Sequence, residues 1–143
     1  MPNPTVLAVA SKGGHWRQLN VLAGAFSQYN LRFVSTDQEL AEFCISDCSR
    51  TEWWRGFLVA AQMVWIILRV RPDVVVSTGA LPGLVALIVA RMFRVRTVWI
   101  DSIANTEEMS LSGRLSRPFA GLWLTQWPEV SRKTGAIYAG AVL

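Results

Sequence analysis

Three short apolar runs in this chain each open into a polar loop, glycine-bearing in the first two. The runs are Val6 to Ala10, Val74 to Val76 and Thr97 to Ile100. The loops are Ser11-Lys12-Gly13-Gly14-His15, Ser77-Thr78-Gly79-Ala80-Leu81-Pro82-Gly83, and Asp101-Ser102-Ile103-Ala104-Asn105 with Ser112-Gly113-Arg114 further on. Helix-like segments follow the first two loops closely. Strands alternating with helices in this way predict an α/β fold, a Rossmann-like parallel sheet with helices on both faces. In such a sheet the loops leaving the carboxyl ends of the strands share one edge, where ligands bind. Residues far apart in the chain therefore line one site.

The first loop suits an anion. Gly13 and Gly14 permit close backbone approach, and a helix opening near His15 aims unpaired amides and a positive dipole end at its guest. Phosphate or pyrophosphate fits. The loop is neither a Walker loop, since no Gly-Lys-Ser/Thr ends it, nor a dinucleotide G-x-G-x-x-G turn. The second loop repeats the arrangement, with Pro82 suited to a helix start.

Read along the chain, the pattern predicts strand Thr5 to Ala10, helix Trp16 to Gln28, strand Leu31 to Ser35 and a short helix near Gln38 to Phe43. An apolar helix follows until Pro72 stops it. Strand Asp73 to Ser77, helix Gly83 to Phe93, strand Arg96 to Ile100 and a polar loop through Ser112 come next. Helix Gly113 to Phe119, strand Leu122 to Gln126 and a last strand near Ala136 to Ala139 complete the reading. The shared edge then offers Ser11, Lys12, His15, Thr78, Asp101, Ser102, Asn105, Gln126 and Glu129 as polar groups.

At 143 residues the chain reads as one domain, residues 1–143, with room for a real core. Cys44, Cys48 and the single histidine, His15, cannot supply an ordinary four-ligand zinc site, so no metal is expected. The start Met1-Pro2-Asn3-Pro4 lacks the basic and apolar regions of a signal peptide, which predicts a cytoplasmic location. Net charge is +4, yet 52% of the residues are hydrophobic and no basic run alternates with aromatics. Nucleic acid is therefore not an expected partner. A membrane surface or an anionic ligand suits this mixture.

The segment Glu52 to Arg71 is the most apolar in the chain. Its uninterrupted apolar stretches are shorter than the roughly 20 residues that span a bilayer. On a helical projection Glu52, Arg55, Gln62 and Arg69 share one stripe and nearly everything else is apolar. Such a helix needs cover on two sides. One is the protein's own sheet; the other is lipid or a partner. Trp53, Trp54 and Trp65 suit a membrane interface, and Arg55, Arg69 and Arg71 suit anionic headgroups. Burial in the core or in an oligomer is the alternative.

The stretches ASKGGHWRQL from Ala10, PDVVVSTGALPG from Pro72, VWIDSIAN from Val98, SLSGRL from Ser110 and TQWPEV from Thr125 resemble, in this order, the Alg14-like family. The likeness is to its bacterial exopolysaccharide members of the PssD and GelK type. The resemblance implies the amino-terminal half of a GT-B glycosyltransferase split into two chains. It implies an Alg13-like or PssE-like companion that binds most of the UDP-sugar donor, with no cofactor held by this chain alone. It also implies a polyprenyl-diphosphate-linked saccharide acceptor, glucuronosyl transfer in bacterial relatives, and residence on the cytoplasmic face of the inner membrane. Lys12 stands where these relatives often have a small residue; a cation there would strengthen a diphosphate contact. No amino-terminal membrane helix of the eukaryotic type is expected from this sequence, and attachment would then fall to the apolar helix.

In an inverting transfer the acceptor hydroxyl needs a base and the leaving diphosphate needs positive charge or N–H donors. His15, the only histidine and so the only side chain of the type that exchanges protons near neutrality, is one candidate base; its alternative role is to orient the loop. Asp101 is the other candidate, with the tying down of backbone amides as its alternative. Lys12, Gly13, Gly14, Thr78 and Gly79 are expected at the diphosphate. Ser102, Asn105, Ser112, Arg114, Gln126 and Glu129 are expected at the acceptor or the partner. Two rival readings are a hydrolase using Ser102 or Ser11 with His15, disfavoured because no G-x-S-x-G elbow is present, and a non-catalytic membrane scaffold.

Overall fold

A computed structural model describes residues 2–142 of the chain. Seven parallel strands form one sheet in the order β3-β2-β1-β4-β5-β6-β7. They are β1 (Thr5–Ala10), β2 (Asn30–Ser35), β3 (Phe43–Cys44), β4 (Val74–Ser77), β5 (Arg96–Ile100), β6 (Leu122–Thr125) and β7 (Ile137–Tyr138). The α-helices are α1 (Gly14–Leu22), α2 (Gly56–Val70), α3 (Ala80–Met92), α4 (Leu111–Ser116) and α5 (Pro128–Thr134). Short 3-10 turns at Ala23–Phe26, Trp53–Arg55 and Arg117–Phe119 extend α1, lead into α2 and extend α4. The Rossmann-like fold class expected from the loops is the one observed.

Period-2 alternation assigns each strand residue to a face. Leu7, Val9, Val34, Val75 and Trp99 pack with Val59, Met63 and Ile66 of α2 and with Leu87 and Ala90 of α3. Val6, Ala8, Val76 and Ile100 point the other way, toward Leu19 and Leu22 of α1 and Phe26. The α2–α3 layer sits tightly on the sheet. A Cβ added at Gly83 of α3 would fall 2.0 Å from Ser77 Oγ, so only glycine lets the helix come this close.

Three expectations need correction. No helix forms at Gln38 to Phe43; a turn closes there, with Glu39 N donating to Asp37 Oδ1 (3.0 Å), and Phe43–Cys44 pair with β2 as an edge strand. A two-residue strand carries too little alternation to be seen in sequence. Helix α5 was expected only as a loop; Pro128 at its first turn and Gly135 in the left-handed conformation at its end are its signals. Helix α3 starts at Ala80, three residues before the expected Gly83, which places Pro82 inside its first turn.

Beyond β3 the chain tucks Cys48 into the core beside α2, leaving Cys44 exposed. Burial pushes the Cys48 thiol up to about 11, with the neighbouring Asp47 carboxylate adding to the shift. The thiolate is the reactive form. The native protein is therefore expected to consume one equivalent of maleimide rapidly at pH 8 and a second only in urea. Two equally fast thiols in the native state would show that the 45–52 segment is not packed.

Candidate active edge

The loops that follow β1, β4, β5 and β6 meet at the carboxyl edge, as expected. The first two are joined directly. Thr78 Oγ1 donates to the His15 carbonyl (2.8 Å), and the His15 ring nitrogen Nδ1 lies 3.1 Å from the Thr78 carbonyl. A carbonyl only accepts, so this bond places the proton of the neutral imidazole on Nδ1 and leaves Nε2 as the basic nitrogen. Gly79 has φ +141°, and a Cβ there would fall 2.5 Å from the His15 ring. The ring thus rests on bare backbone, and its position is fixed by a residue that has no side chain.

Helix α1 begins after Gly13 (φ +92°) and α3 after Gly79, and neither has a side-chain cap. The first amides of a helix have no intrahelical partner. Two positive helix ends therefore converge on the His15–Thr78 junction. Gly13, Gly14 and Lys12 are exposed there. Lys12 N is held by Thr36 Oγ1 (3.0 Å), which ties the first loop to the end of β2. Thr78 and Gly79, expected as diphosphate contacts, are buried instead. The Thr78 hydroxyl is engaged by His15, and Gly79 N donates to Ser77 Oγ (3.3 Å). They shape the edge, and of the five residues expected at the diphosphate only Lys12, Gly13 and Gly14 are exposed.

Ala80 follows with φ +65°, a left-handed conformation that costs an ordinary L-residue about 1–2 kcal/mol. It occupies the sharp turn from strand to helix from which a hydrolase would project its nucleophile, and it bears a methyl group. Ser102 Oγ accepts from Ala104 N (3.2 Å), and the ring nitrogen bond of His15 runs to Thr78 rather than to a serine. Ser102 Oγ is thus turned to its own loop and Ser11 is buried, so neither serine stands at an exposed nucleophile elbow.

Asp101 is 1% exposed and is not placed as a base. Its carboxylate accepts from Trp99 Nε1 (3.1 Å), Asn105 Nδ2 (2.9 Å), Ser110 N (3.1 Å) and Ser110 Oγ (2.7 Å). Ser110 in turn caps α4 by accepting from Gly113 N (2.9 Å). A Cβ at Gly113 would lie 2.5 Å from Asp101 Oδ1. The Asp101 carbonyl accepts from Gln126 Nε2 (2.9 Å) and Gln18 Nε2 (3.4 Å), while Gln18 Oε1 accepts from Ile103 N (2.9 Å). A buried carboxylate is tolerated when donors saturate it. This one organises the β5–α4 loop.

The remaining expected contacts divide. Gln126 is buried, with its amide oxygen taken by Val142 N (2.9 Å), so it is a strut rather than a contact. Asn105 likewise belongs to the Asp101 network. Ser102 and Ser112 are half-buried, and Arg114 is exposed on α4. Glu129 is exposed and pairs with Arg132 within α5. Gln18, Ser110 and Thr36 were missed. Only Ser110, three residues before Gly113 and just ahead of an apolar-periodic stretch, carries a capping signal in sequence.

Helix α2 has two apolar sides. Val59, Met63, Ile66 and Ile67 are buried, while Trp54, Leu58, Ala61, Trp65 and Leu68 form an exposed stripe at spacings of four and three. Trp53 (63% exposed) and Phe57 (74%) widen it. Arg69 lies over the Trp65 ring (5.8 Å), and Arg55 pairs with Glu52 (3.5 Å). Trp53–Val70 has the length and composition to cross a membrane, contrary to the expectation from its uninterrupted stretches, but its buried residues belong to the sheet core. That packing fits a helix lying on a surface.

The Rossmann-like fold is shared, at low sequence identity, with parts of larger solved enzymes. MurG of Acinetobacter baumannii superposes with a TM-score of 0.73 at 12% identity, covering 89% of this chain and 43% of that one. The UDP-GlcNAc 2-epimerase of Methanocaldococcus jannaschii gives 0.71 at 10% identity, covering 91% and 41%. The family model described as "Oligosaccharide biosynthesis protein Alg14 like" matches residues 47–142, and the chain belongs to that family. Relatives include the UDP-N-acetylglucosamine transferase subunit ALG14 of Eremothecium gossypii, 39% identical over 46% of this chain and 32% of its own length. The mouse protein of that name is 26% identical over 82% of this chain and 55% of its own. The chain thus spans from about a third to just over half of these relatives.

Replacing Asp101 by Asn exchanges a charge acceptor for an amide that also donates. A loss of about 1–3 kcal/mol is expected, read as a lower urea midpoint, whereas His15→Ala should leave the midpoint nearly unchanged. Equal midpoints for Asp101→Asn and wild type would contradict the structural assignment.

Proposed function

We propose that this chain is the acceptor-binding half of an inverting, UDP-sugar-dependent glycosyltransferase. Its acceptor is a polyprenyl-diphosphate-linked saccharide at the cytoplasmic face of the inner membrane, and an Alg13-like or PssE-like companion supplies most of the donor site. The carrying observation is the convergence of two uncapped helix ends on His15, whose Nδ1 is fixed by Thr78. Helix N-termini favour phosphate; the exposed start of α1 with Lys12 suits a diphosphate, and the α3 dipole adds its field from behind. His15 Nε2 takes the proton of the acceptor hydroxyl as that oxygen attacks the anomeric carbon. The new glycosidic bond forms, the sugar–phosphate bond breaks, and UDP leaves on the companion's side.

The membrane part rests on α2. It runs antiparallel to the strands from the carboxyl edge, so Trp53, Trp54 and Phe57 stand at the same end of the sheet as Gly13 and Gly79. An acceptor with its tail in the bilayer then has its diphosphate near the glycine loops. Two donors have support: the bacterial resemblance carries glucuronate and exopolysaccharide synthesis, and the named relatives carry N-acetylglucosamine.

Co-expression with the companion and an assay over a panel of UDP-sugars and lipid-linked acceptors is the direct test. The complex should transfer one sugar and the isolated chain none; transfer by the isolated chain overturns the split-enzyme reading. His15→Ala in the complex should lower kcat by about 10²–10⁴-fold with an unchanged melting temperature. Full activity in that variant would favour the non-catalytic scaffold.

Membrane attachment has its own check. Changing Trp53, Trp54 and Phe57 together to Ser should remove the chain from floated vesicles containing phosphatidylglycerol while preserving its circular dichroism. Undiminished flotation would assign the stripe to a protein contact.

A further inference from the structure

Helix α1 carries His15, and at nine residues it is too short to hold its own setting. Its place comes from what it touches. Leu19 and Leu22 pack on the sheet, a contact without direction that fixes the depth of the helix and lets it slide and turn. Hydrogen bonds are directional. Among the described residues, the side-chain bonds that tie α1 to other elements lie at two positions. At His15 they run to Thr78, on the loop after β4. At Gln18 they run to the loop after β5, the neighbouring strand. Gln18 Oε1 accepts from Ile103 N (2.9 Å), and Gln18 Nε2 donates to the Asp101 carbonyl (3.4 Å). Residues three apart share a helix face, so one face of α1 is fastened to two adjacent strand ends.

The far side of the second fastening is held as well. The Ile103 carbonyl accepts from Trp127 Nε1 (2.7 Å), and the Asp101 carbonyl accepts also from Gln126 Nε2 (2.9 Å). Ile103 is thus gripped from α1 at its N–H and from the β6–α5 junction at its carbonyl. Stability alone does not call for an amide at position 18. Gln18 is 6% exposed, and an apolar side chain of similar length would fill its place. The Asp101 carbonyl would keep Gln126, and Ile103, only half-buried, would find water for its N–H. What the apolar side chain would not supply is a fixed distance between His15 and the 101–105 loop.

We propose that Gln18 is a positioning residue for sugar transfer: it spans from α1 to the 101–103 backbone and so sets His15 Nε2 against the loop on which the acceptor saccharide rests. The inference rests on the acceptor-binding reading above and adds what fixes the gap between its base and its wall. An acceptor hydroxyl must come within hydrogen-bond reach of Nε2 while its sugar lies along Ser102 and Asn105. A misplacement of about 1 Å costs about a hundredfold in rate. The diphosphate contact at Lys12 is anchored separately, through Thr36, so loss of Gln18 acts on kcat and leaves the acceptor KM nearly unchanged.

Two variants in the complex with the companion separate direction from packing. Gln18→Met keeps the length and loses both bonds; kcat should fall about 10–100-fold. Gln18→Glu accepts from Ile103 N in either protonation state, and its protonated form also donates to the Asp101 carbonyl, so it should recover most of the lost rate. His15 is the only histidine, so nitrogen-15 NMR reads its ring directly in the isolated chain. Wild type and Gln18→Glu should carry the proton on Nδ1, and Gln18→Met should mix the two tautomers. Asn20→Ala, which removes a bond within α1 to the Trp16 carbonyl (2.9 Å), should move neither rate nor ring. A lower melting temperature in Gln18→Met with wild-type kcat and an unmoved ring signal marks a mere strut; it overturns the proposal and spares the acceptor-binding reading. A Gln18→Glu enzyme as slow as Gln18→Met overturns the Ile103 bond as the cause. If no complex transfers sugar the proposed function falls, while a ring signal shifted in Gln18→Met alone still supports Gln18 as the residue that sets His15.

Discussion

Parallel strands can be joined only by crossovers, and the right-handedness of those crossovers governs the arrangement of this molecule. From β1 the chain steps outward to β2 and β3, then returns past β1 to β4 and continues to β7. The reversal puts α1 on one face and α2 and α3 on the other. It also sets the ends of β1 and β4 side by side, since those two strands are direct neighbours. The switch point of an open α/β sheet is where its ligand site forms. Loops separated by more than sixty residues can therefore share His15 and Thr78 as partners.

The two polar centres at this edge have opposite characters, and the difference lies in how completely each is satisfied. Asp101 is enclosed and saturated by donors, so its charge is spent within the protein on holding the 101–113 loop. His15 has one ring nitrogen committed and is only half-buried. A group that keeps one free valence at an open edge can act on a substrate; a group with none can only shape the surroundings. Gly79 and Gly113 mark the two centres in the same way, each being the residue whose missing Cβ makes room for the polar side chain.

The fold was legible because short apolar runs that open into polar loops, the first two glycine-bearing, report both strand position and chain direction. Edge elements were not: Phe43–Cys44 is too short for a period, and α5 hid behind a proline that reads equally as a loop. At the site, sequence located the loops but not the direction of their side chains. Thr78 and Asp101 were named as ligand or base because they are polar residues leaving strands, yet pairing across the sheet turns both inward. Gln18 could not be found by motif, since its role depends on a carbonyl 83 residues away.

On the proposed function, helix α2 would link attachment to catalysis through direction alone. It is antiparallel to the strands, so a bilayer beneath its exposed stripe lies along the strands rather than across their ends. The carboxyl edge then faces sideways, parallel to the membrane plane. The proposed lipid-linked diphosphate, at headgroup depth, would then reach Gly13 and Gly14 without withdrawing its hydrocarbon tail, which avoids about 0.8 kcal/mol for each CH₂ that would otherwise be exposed to water. A helix that crossed the bilayer would tip this edge toward or away from lipid. Packing of Val59, Met63 and Ile66 against the sheet holds α2 along the strands and so keeps the edge level.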